Sequence, residues 1–392
     1  MILGIVAGEP SGDRLGAGLM AAIRKRAPGV RFVGIGGPLM LAEGLESLVA
    51  MERLAMNGFV EPVARLPDLV RILRALLATY RATPPDAFIG VDFNVFNFLL
   101  ERLLKRRDIP TVHYVSPSVY AWRRGRVRRI ARSTDLLLTL YPFEPEFYRG
   151  SSVRAVFVGH PLADEIGPDA GDDAHRSAAR VALGLPEQGI VIAVLPGSRS
   201  SEVSLMGDVF LDACEVVRQR RDVSFVVPCL REPIFAAVQA LRERHPALDI
   251  HLYLGDARRA LTACDAALVK SGTSTLEAML LHRPMVVSYR LGEITYQLVR
   301  RLLRTPYVSL PNILAGRELV PELLQHAATP EALAENLLRE LDKAGGDTEY
   351  LQTFRVLHDT LRQGADERAA DAVVSWLGQR RAAVAGRTES SS

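Results

Sequence analysis

The chain has 392 residues, of which 48% are hydrophobic and 24% charged, with 48 Lys and Arg against 45 Asp and Glu. Such a balance suits a globular protein with a sizeable core that needs no disulfide or metal staple, and a net charge of only +3 speaks against a polycationic nucleic-acid binder. The three cysteines, Cys214, Cys229 and Cys264, have no CxxC spacing, so they read as small buried residues in a reducing compartment.

The opening run Met1-Ile-Leu-Gly-Ile-Val-Ala lacks the basic lead of a signal peptide and reads as a first strand. No apolar stretch approaches the length of a membrane-spanning helix. A cytoplasmic protein that touches a membrane only from the side is expected. Short β-branched runs without polar alternation predict strands buried on both faces of a parallel sheet. They fall at 2–7, 32–35, 87–91, 111–115, 136–140 and 155–158, with amphipathic helices between them, for example 15–27 and 94–105. A Pro/Gly/Asp-rich stretch from His160 to about Asp173 predicts a linker. A second series follows at 190–195, 224–227, 251–253, 266–269 and 285–288. Beyond Leu310 the chain reads as mostly helical, and 380–392 as a disordered tail. The expected fold class is α/β, with two doubly wound Rossmann-like domains, 1–165 and 166–345, facing a cleft. Helices at 346–379 are expected to pack back on the first domain.

Ligands in such sheets sit beyond the carboxyl ends of the strands, so the loops there carry the functional weight. The first is Gly8-Glu9-Pro10-Ser11-Gly12-Asp13. Its spacing Gly8, Gly12, Gly16 is not GxGxxG, which disfavours an NAD site. Ser11 or Asp13 can cap the next helix, whereas Glu9 extends past a buried strand toward a ligand. The third strand ends at Asp92, which reads either as a general base or as an N-cap. The fourth leads through His113 to Trp122 and then to arginines 123, 124, 126, 128, 129 and 132. These form either a solvated basic face or an electropositive rim for phosphate or anionic lipid.

In the second half, Pro196-Gly197-Ser198-Arg199 is an anion cradle in which Arg199 can neutralise a leaving diphosphate. The turn Ser271-Gly272-Thr273 can bind a pyrophosphate through backbone N–H groups without a metal. Glu277 can accept from ribose hydroxyls, although Ser274-x-x-Glu277 also fits a capping box. Leu66, Leu69, Val70, Leu73, Leu76, Leu77 and Tyr80 form an i, i+3, i+4, i+7 stripe flanked by Arg65, Arg71, Arg74 and Arg81. That helix reads as core-facing or as interfacial.

The segments AGEPSGDRLGAGL, FIGVD, HYVSPSVYAWRRGRVRRIAR, FVGHPLAD, LPGSRSSEV, SGTSTLEAML, PMVVSYR and YVSLPNILAGRELVPELLQ occur in order from Val6 to about Leu377. In these the chain resembles the lipid-A-disaccharide synthase family. The resemblance implies a GT-B glycosyltransferase fold, UDP-2,3-diacylglucosamine as donor and 2,3-diacylglucosamine 1-phosphate as acceptor. It implies inversion at the anomeric carbon, UDP as leaving group, no cofactor and no metal. The implied setting is the cytoplasmic face of the inner membrane, against anionic lipid of the inner leaflet, with no nucleic-acid partner and a homodimer left open. Carried over by position, Glu9 and Ser11 match first-loop site residues and Asp92 matches the proposed catalytic base. Arg199, Glu277 and Asn312 match positions tied to UDP binding or catalysis. Val95 departs from the pattern, standing where many relatives carry a second acid, and Tyr120 stands where Trp is expected. His113 is the rival base, its ordinary pKa being near neutrality.

Two rivals remain at this level. One is another UDP-sugar enzyme of the same fold, a UDP-N-acetylglucosamine transferase of cell-wall synthesis or a 2-epimerase. The other is an RNA-binding protein using arginines 123–132.

Overall fold

Thirteen strands, all paired in parallel, divide between two sheets in a computed structural model that describes residues 1–54, 62–118, 125–293, 295–297, 305–344 and 348–389. The chain separates into two units, Met1–Asp164 with Leu361–Ser392, and Glu165–Thr360.

The first unit holds β1 (Ile2–Ala7), β2 (Arg31–Ile35), β3 (Leu45–Ser47), β4 (Ala87–Val91), β5 (Thr111–Tyr114), β6 (Leu136–Thr139) and β7 (Arg154–Phe157). Their order is β3-β2-β1-β4-β5-β6-β7. The winding reverses between β1 and β4, whose register pairs Leu3 with Ala87 and Ala7 with Val91. β4, β5 and β6 are buried throughout, as strands covered on both faces must be. On one face, Leu3 and Ile5 pack with Leu19 and Ile23 of the helix Pro10–Arg26 and with Val373 and Leu377 of the helix Ala365–Glu389. On the other, Val6 and Phe88 pack with Ile72, Leu76 and Tyr80 of the helix Pro62–Ala82 and with Leu100 and Leu104 of the helix Asn94–Lys105.

That arrangement gives the apolar stripe of the Pro62–Ala82 helix a core-facing role from Leu69 onward, since Leu69, Leu73 and Leu77 also pack against this cluster. Leu66 remains 57% exposed, and Arg71, Arg74 and Arg81 face solvent. Among the described residues no helix is long and apolar enough to cross a membrane.

The last helix belongs to the first unit because specific polar contacts hold it there. The His160 N–H donates to Leu361 O at 2.9 Å, and the Asp164 carboxylate accepts the Gly364 and Ala365 N–H groups at 2.8 and 2.6 Å. The stretch expected as linker, 160–173, therefore contains an ordered helix, Pro161–Glu165, and the boundary between units falls inside it. The expected tail is also corrected: residues 380–389 continue the helix to Glu389. Its alanines favour helix, and Arg381 pairs with Asp86.

The second unit holds β8 (Ile190–Leu195), β9 (Val223–Cys229), β10 (Ile250–Leu254), β11 (Ala266–Lys270), β12 (Met285–Tyr289) and β13 (Glu322–Leu324), ordered β10-β9-β8-β11-β12-β13. Here the reversal lies between β8 and β11. Arg180, 4% exposed, ties the amino ends of these two strands. It pairs with Asp265 at 2.6 Å, and Asp265 also accepts the Val191 N–H at 2.8 Å.

His160 offers a test of the closure of the first unit. It is 7% exposed, its Nδ1 accepts the Leu162 N–H, and burial pushes its pKa down to about 4. The unfolded chain, with an ordinary histidine pKa, binds the extra proton between that value and about 6.5, so stability declines as pH falls through this window. The penalty amounts to about 2 kcal/mol at pH 5. Urea unfolding at pH 7 and pH 5 should show the wild type losing that much more than His160→Gln; identical losses would refute the buried neutral ring.

Candidate active site

At the switch point of the first sheet, two loops leave neighbouring strands. Glu9 follows β1 in extended conformation (φ −142°, ψ 157°) and begins the helix Pro10–Arg26 without a side-chain cap. Glu9 and Ser11 are exposed. The helix starts at Pro10 rather than near Leu15, because proline is preorganised for the first helical position. Asp13 does not cap its own helix. Its buried carboxylate accepts the Gly37, Leu39 and Met40 N–H groups at 2.8, 3.0 and 3.0 Å, which anchors the loop from beneath.

Beyond β4, Asp92 and Phe93 both take left-handed backbone, with φ of 47° and 46°. The Phe93 ring lies over Gly8, where a Cβ would come within 2.5 Å of it, so the two loops meet only because residue 8 is glycine. Phe93, not Asp92, occupies the N-cap position of the next helix. The half-buried Asp92 carboxylate is thus not spent on capping, and its Oδ1 accepts from Asn94 Nδ2 at 3.2 Å. Val95 is 85% exposed.

Two expected site residues prove to be interior. His113 has a fully buried side chain; its Nδ1 lies 2.6 Å from Glu101 Oε1 and its ring stacks on Phe98 at 4.1 Å. Glu101 in turn accepts from Thr134 Oγ1 at 2.7 Å. A ring enclosed in this way has no route to a substrate, because it lies inside the sheet layer on β5 and not beyond the strand's end. Asn312, also fully buried, accepts the Leu319 and Val320 N–H groups and donates to Val320 O and Glu322. All its hydrogen-bonding capacity goes to shaping the 312–322 turn, so it acts on a ligand at most through that turn.

Of the basic segment, residues 119–124, with Tyr120 and Trp122, lie outside the described residues. Arg128 and Arg132 are exposed on and just after the helix Gly125–Ala131. Together with Arg149 they border a hollow of about 470 Å³ floored by Val127, Ala131 and Phe147.

At the switch point of the second sheet lies a cavity of about 330 Å³, lined by Gly197, Ser198, Glu202, Lys270, Gly272 and Thr273 among others. Gly197 takes φ +141°, and a Cβ there would stand 2.4 Å from that of Glu202. Glu202 Oε2 accepts the Ser198 and Arg199 N–H groups at 2.9 and 3.3 Å, and Oε1 accepts from Lys270 Nζ at 3.0 Å. Burial pushes this carboxyl up, but Lys270 and the two N–H groups outweigh it and hold its pKa below the ordinary glutamate range. Lys270 also sits 4.7 Å from the centre of the Tyr289 ring.

This pair was not singled out from sequence. The available signal was the three-residue spacing of Arg199 and Glu202, the same spacing read as a capping box at Ser274 and Glu277. There the structure corrects the reading: Gly272 is the N-cap of the helix Thr273–Leu280, so Ser274 lies inside the helix. Glu277 lines the cavity and lies 3.8 Å from Arg258. Ser271 Oγ donates to Val308 O at 3.0 Å and its N–H to Ser288 O at 2.9 Å, which leaves the Gly272 and Thr273 N–H groups at the helix N-terminus as the turn's face toward an anion. Arg199 has 76% of its side chain exposed and lies 3.8 Å from Glu202.

A sequence-family profile described as lipid-A-disaccharide synthetase matches residues 3–373. The chain belongs to this family. It is 49% identical over 379 residues to a lipid-A-disaccharide synthase of Burkholderia pseudomallei (strain K96243), covering 96% of this chain and 97% of that one. It is 51% identical over 381 residues to one of Pseudomonas putida (strain W619), covering 97% and 99%. The crystal structure of Acinetobacter baumannii MurG superposes with a TM-score of 0.55 over 96% of this chain and 99% of that one. At 15% identity that likeness concerns the fold alone, which is GT-B. The protein is an enzyme of this family, and its activity implies a sugar nucleotide and a lipid phosphate as substrates.

The Glu202–Lys270 pair joins two loops that line the cavity, so if the cavity receives a nucleotide, loosening the pair should weaken its binding. Calorimetry with UDP should show affinity falling about tenfold, close to 1.4 kcal/mol, in Glu202→Gln and in Lys270→Met. Unchanged affinity in both would reduce the pair to a loop brace.

Proposed function

We propose that the enzyme condenses UDP-2,3-diacylglucosamine with 2,3-diacylglucosamine 1-phosphate, with inversion, to give the β-linked disaccharide 1-phosphate and UDP. The observation that carries the reading is the Asp92 carboxylate, held on left-handed backbone at the first switch point and not used as a cap. In this scheme Asp92 takes the proton of the acceptor hydroxyl as its oxygen attacks the anomeric carbon. The bond from that carbon to the diphosphate breaks, and the electron pair leaves with UDP. Arg199, Lys270 and the Gly272 and Thr273 amides stabilise the charge that develops on the diphosphate, while Ser271, its hydroxyl and N–H both bonded within the protein, holds the turn in place. Glu277 receives the ribose hydroxyls. Glu9 and Ser11 flank the acceptor from the loop beside Asp92.

The acylated substrates favour work at a lipid surface, and the cytoplasmic face of the inner membrane is the setting we infer. Exposed Leu66 with Arg71 and Arg74, and the hollow bordered by Arg128, Arg132 and Arg149, supply apolar and cationic surface for anionic headgroups.

Two measurements test these points. Mass spectrometry of products from the two acylated sugars should show the disaccharide phosphate, with Asp92→Ala lowering kcat by roughly 10²–10⁴-fold and His113→Gln changing it only a few-fold. Near-normal turnover in Asp92→Ala, or equal turnover with unacylated UDP-N-acetylglucosamine, would contradict the scheme. Replacing Arg128 and Arg132 together by serine should weaken binding to anionic vesicles by about 2 kcal/mol, near 1 kcal/mol per arginine, and leave UDP affinity unaltered. Vesicle binding that survives would point to the Leu66 end of its helix instead.

A further inference from the structure

Asp92 and Phe93 are consecutive non-glycine residues of positive φ, a conformation that L-residues avoid because Cβ crowds the backbone. Such a turn persists only where its surroundings over-determine it. Asn97, fully buried in the first turn of the helix Asn94–Lys105, supplies that restraint. Its Nδ2 donates to Asp92 O at 2.8 Å, and Val6 O and Val91 O lie at 3.2 and 3.3 Å from the same nitrogen. These oxygens belong to β1, to β4 and to Asp92 itself, so one amide group grips both sides of the switch point. The Asn97 backbone N–H donates to Phe93 O at 3.2 Å, the first i→i−4 bond of the helix.

The other half of the amide shows what the residue is not for. Asn97 Oδ1 is buried without a hydrogen-bond partner, a destabilising feature in a residue serving only to fill space. The three acceptors around the nitrogen also determine which way the amide faces, because a flipped group would set oxygen against oxygen. Gly90 leaves room for it: a Cβ there would stand 2.9 Å from that of Asn97.

We infer that Asn97 is a positioning residue for the transfer reaction, setting the Asp92 carboxylate by holding its peptide left-handed and tying it to the strand that carries Glu9. The inference rests on the reading of Asp92 as the base.

The test is steady-state kinetics of the full-length enzyme with Asn97→Ala and Asn97→Asp, and with Asn97→Ala combined with Asp92→Ala. Asn97→Ala should lower kcat by roughly 10–100-fold while KM for the UDP-sugar and UDP affinity stay within about twofold. In the Asp92→Ala background it should cost less than about another twofold, because a residue acting through Asp92 has nothing left to act on. A carboxyl at position 97, set among three carbonyl oxygens, keeps its proton and donates one bond. Asn97→Asp should therefore outperform Asn97→Ala at low pH and decline toward it as pH rises, a limb that the wild type lacks. Wild-type kcat in Asn97→Ala overturns the inference, as does an undiminished further loss in the double variant. Failure of both single variants to fold overturns it too, by making Asn97 a residue of the fold. Full turnover in Asp92→Ala sinks the base assignment and this inference together, whereas losses confined to Asp92→Ala sink the inference alone.

Discussion

Parallel strands whose order reverses once force two loops to diverge from adjacent strands, and this single topological constraint places the candidate loops of both units. In the first sheet the reversal lies between β1 and β4, and in the second between β8 and β11. Helices must cross over opposite faces on the two sides of the reversal, so a crevice opens at the strands' carboxyl ends. Glu9, Ser11 and Asp92 emerge at one such crevice; Gly197, Ser198, Lys270 and Gly272 line the other. Nothing in the individual loops would assemble these groups without the sheets beneath them.

Each crevice is held open by polar side chains that face inward rather than toward a ligand. Asp13 gathers three N–H groups under the first loop. Asn97 grips three carbonyl oxygens behind Asp92. Glu202 spans from Lys270 to the Ser198 and Arg199 amides, and Asn312 with Glu322 locks the segment that receives the Ser271 hydroxyl. Polar groups of this kind rigidify a loop when their partners are present; Asp13, Glu202 and Asn312 are satisfied in this way, whereas Asn97 holds its turn through Nδ2 alone, its Oδ1 being buried without a partner. Of the residues proposed to meet a substrate, Glu9, Ser11, Arg199 and Thr273 are exposed and Asp92 is half-buried.

The two sheets were legible in sequence because parallel strands buried on both faces read as unbroken β-branched runs, as in β1, β4 and β8. The short edge strands β3 and β13, of three residues each, left no such signal, since so few residues carry no periodicity. The stripe of the Pro62–Ala82 helix was visible as a stripe, but only Phe88, Leu100 and Leu104 packed against it show that most of it faces a core.

Residue types and their order along the chain sufficed to establish an α/β architecture and a family, and to single out the loops beyond the strand ends as candidates for the site. They could not separate side chains that reach a ligand from side chains that reach the backbone. His113 and Asn312 looked like ligand contacts and are fully enclosed, while Lys270, Glu202 and Asn97 attracted no notice and brace the sites. The physical reason is that a hydrogen bond joins residues distant in sequence, 68 positions apart for Glu202 and Lys270 and 91 for Val6 and Asn97. Only the folded backbone brings such donors and acceptors within reach of each other.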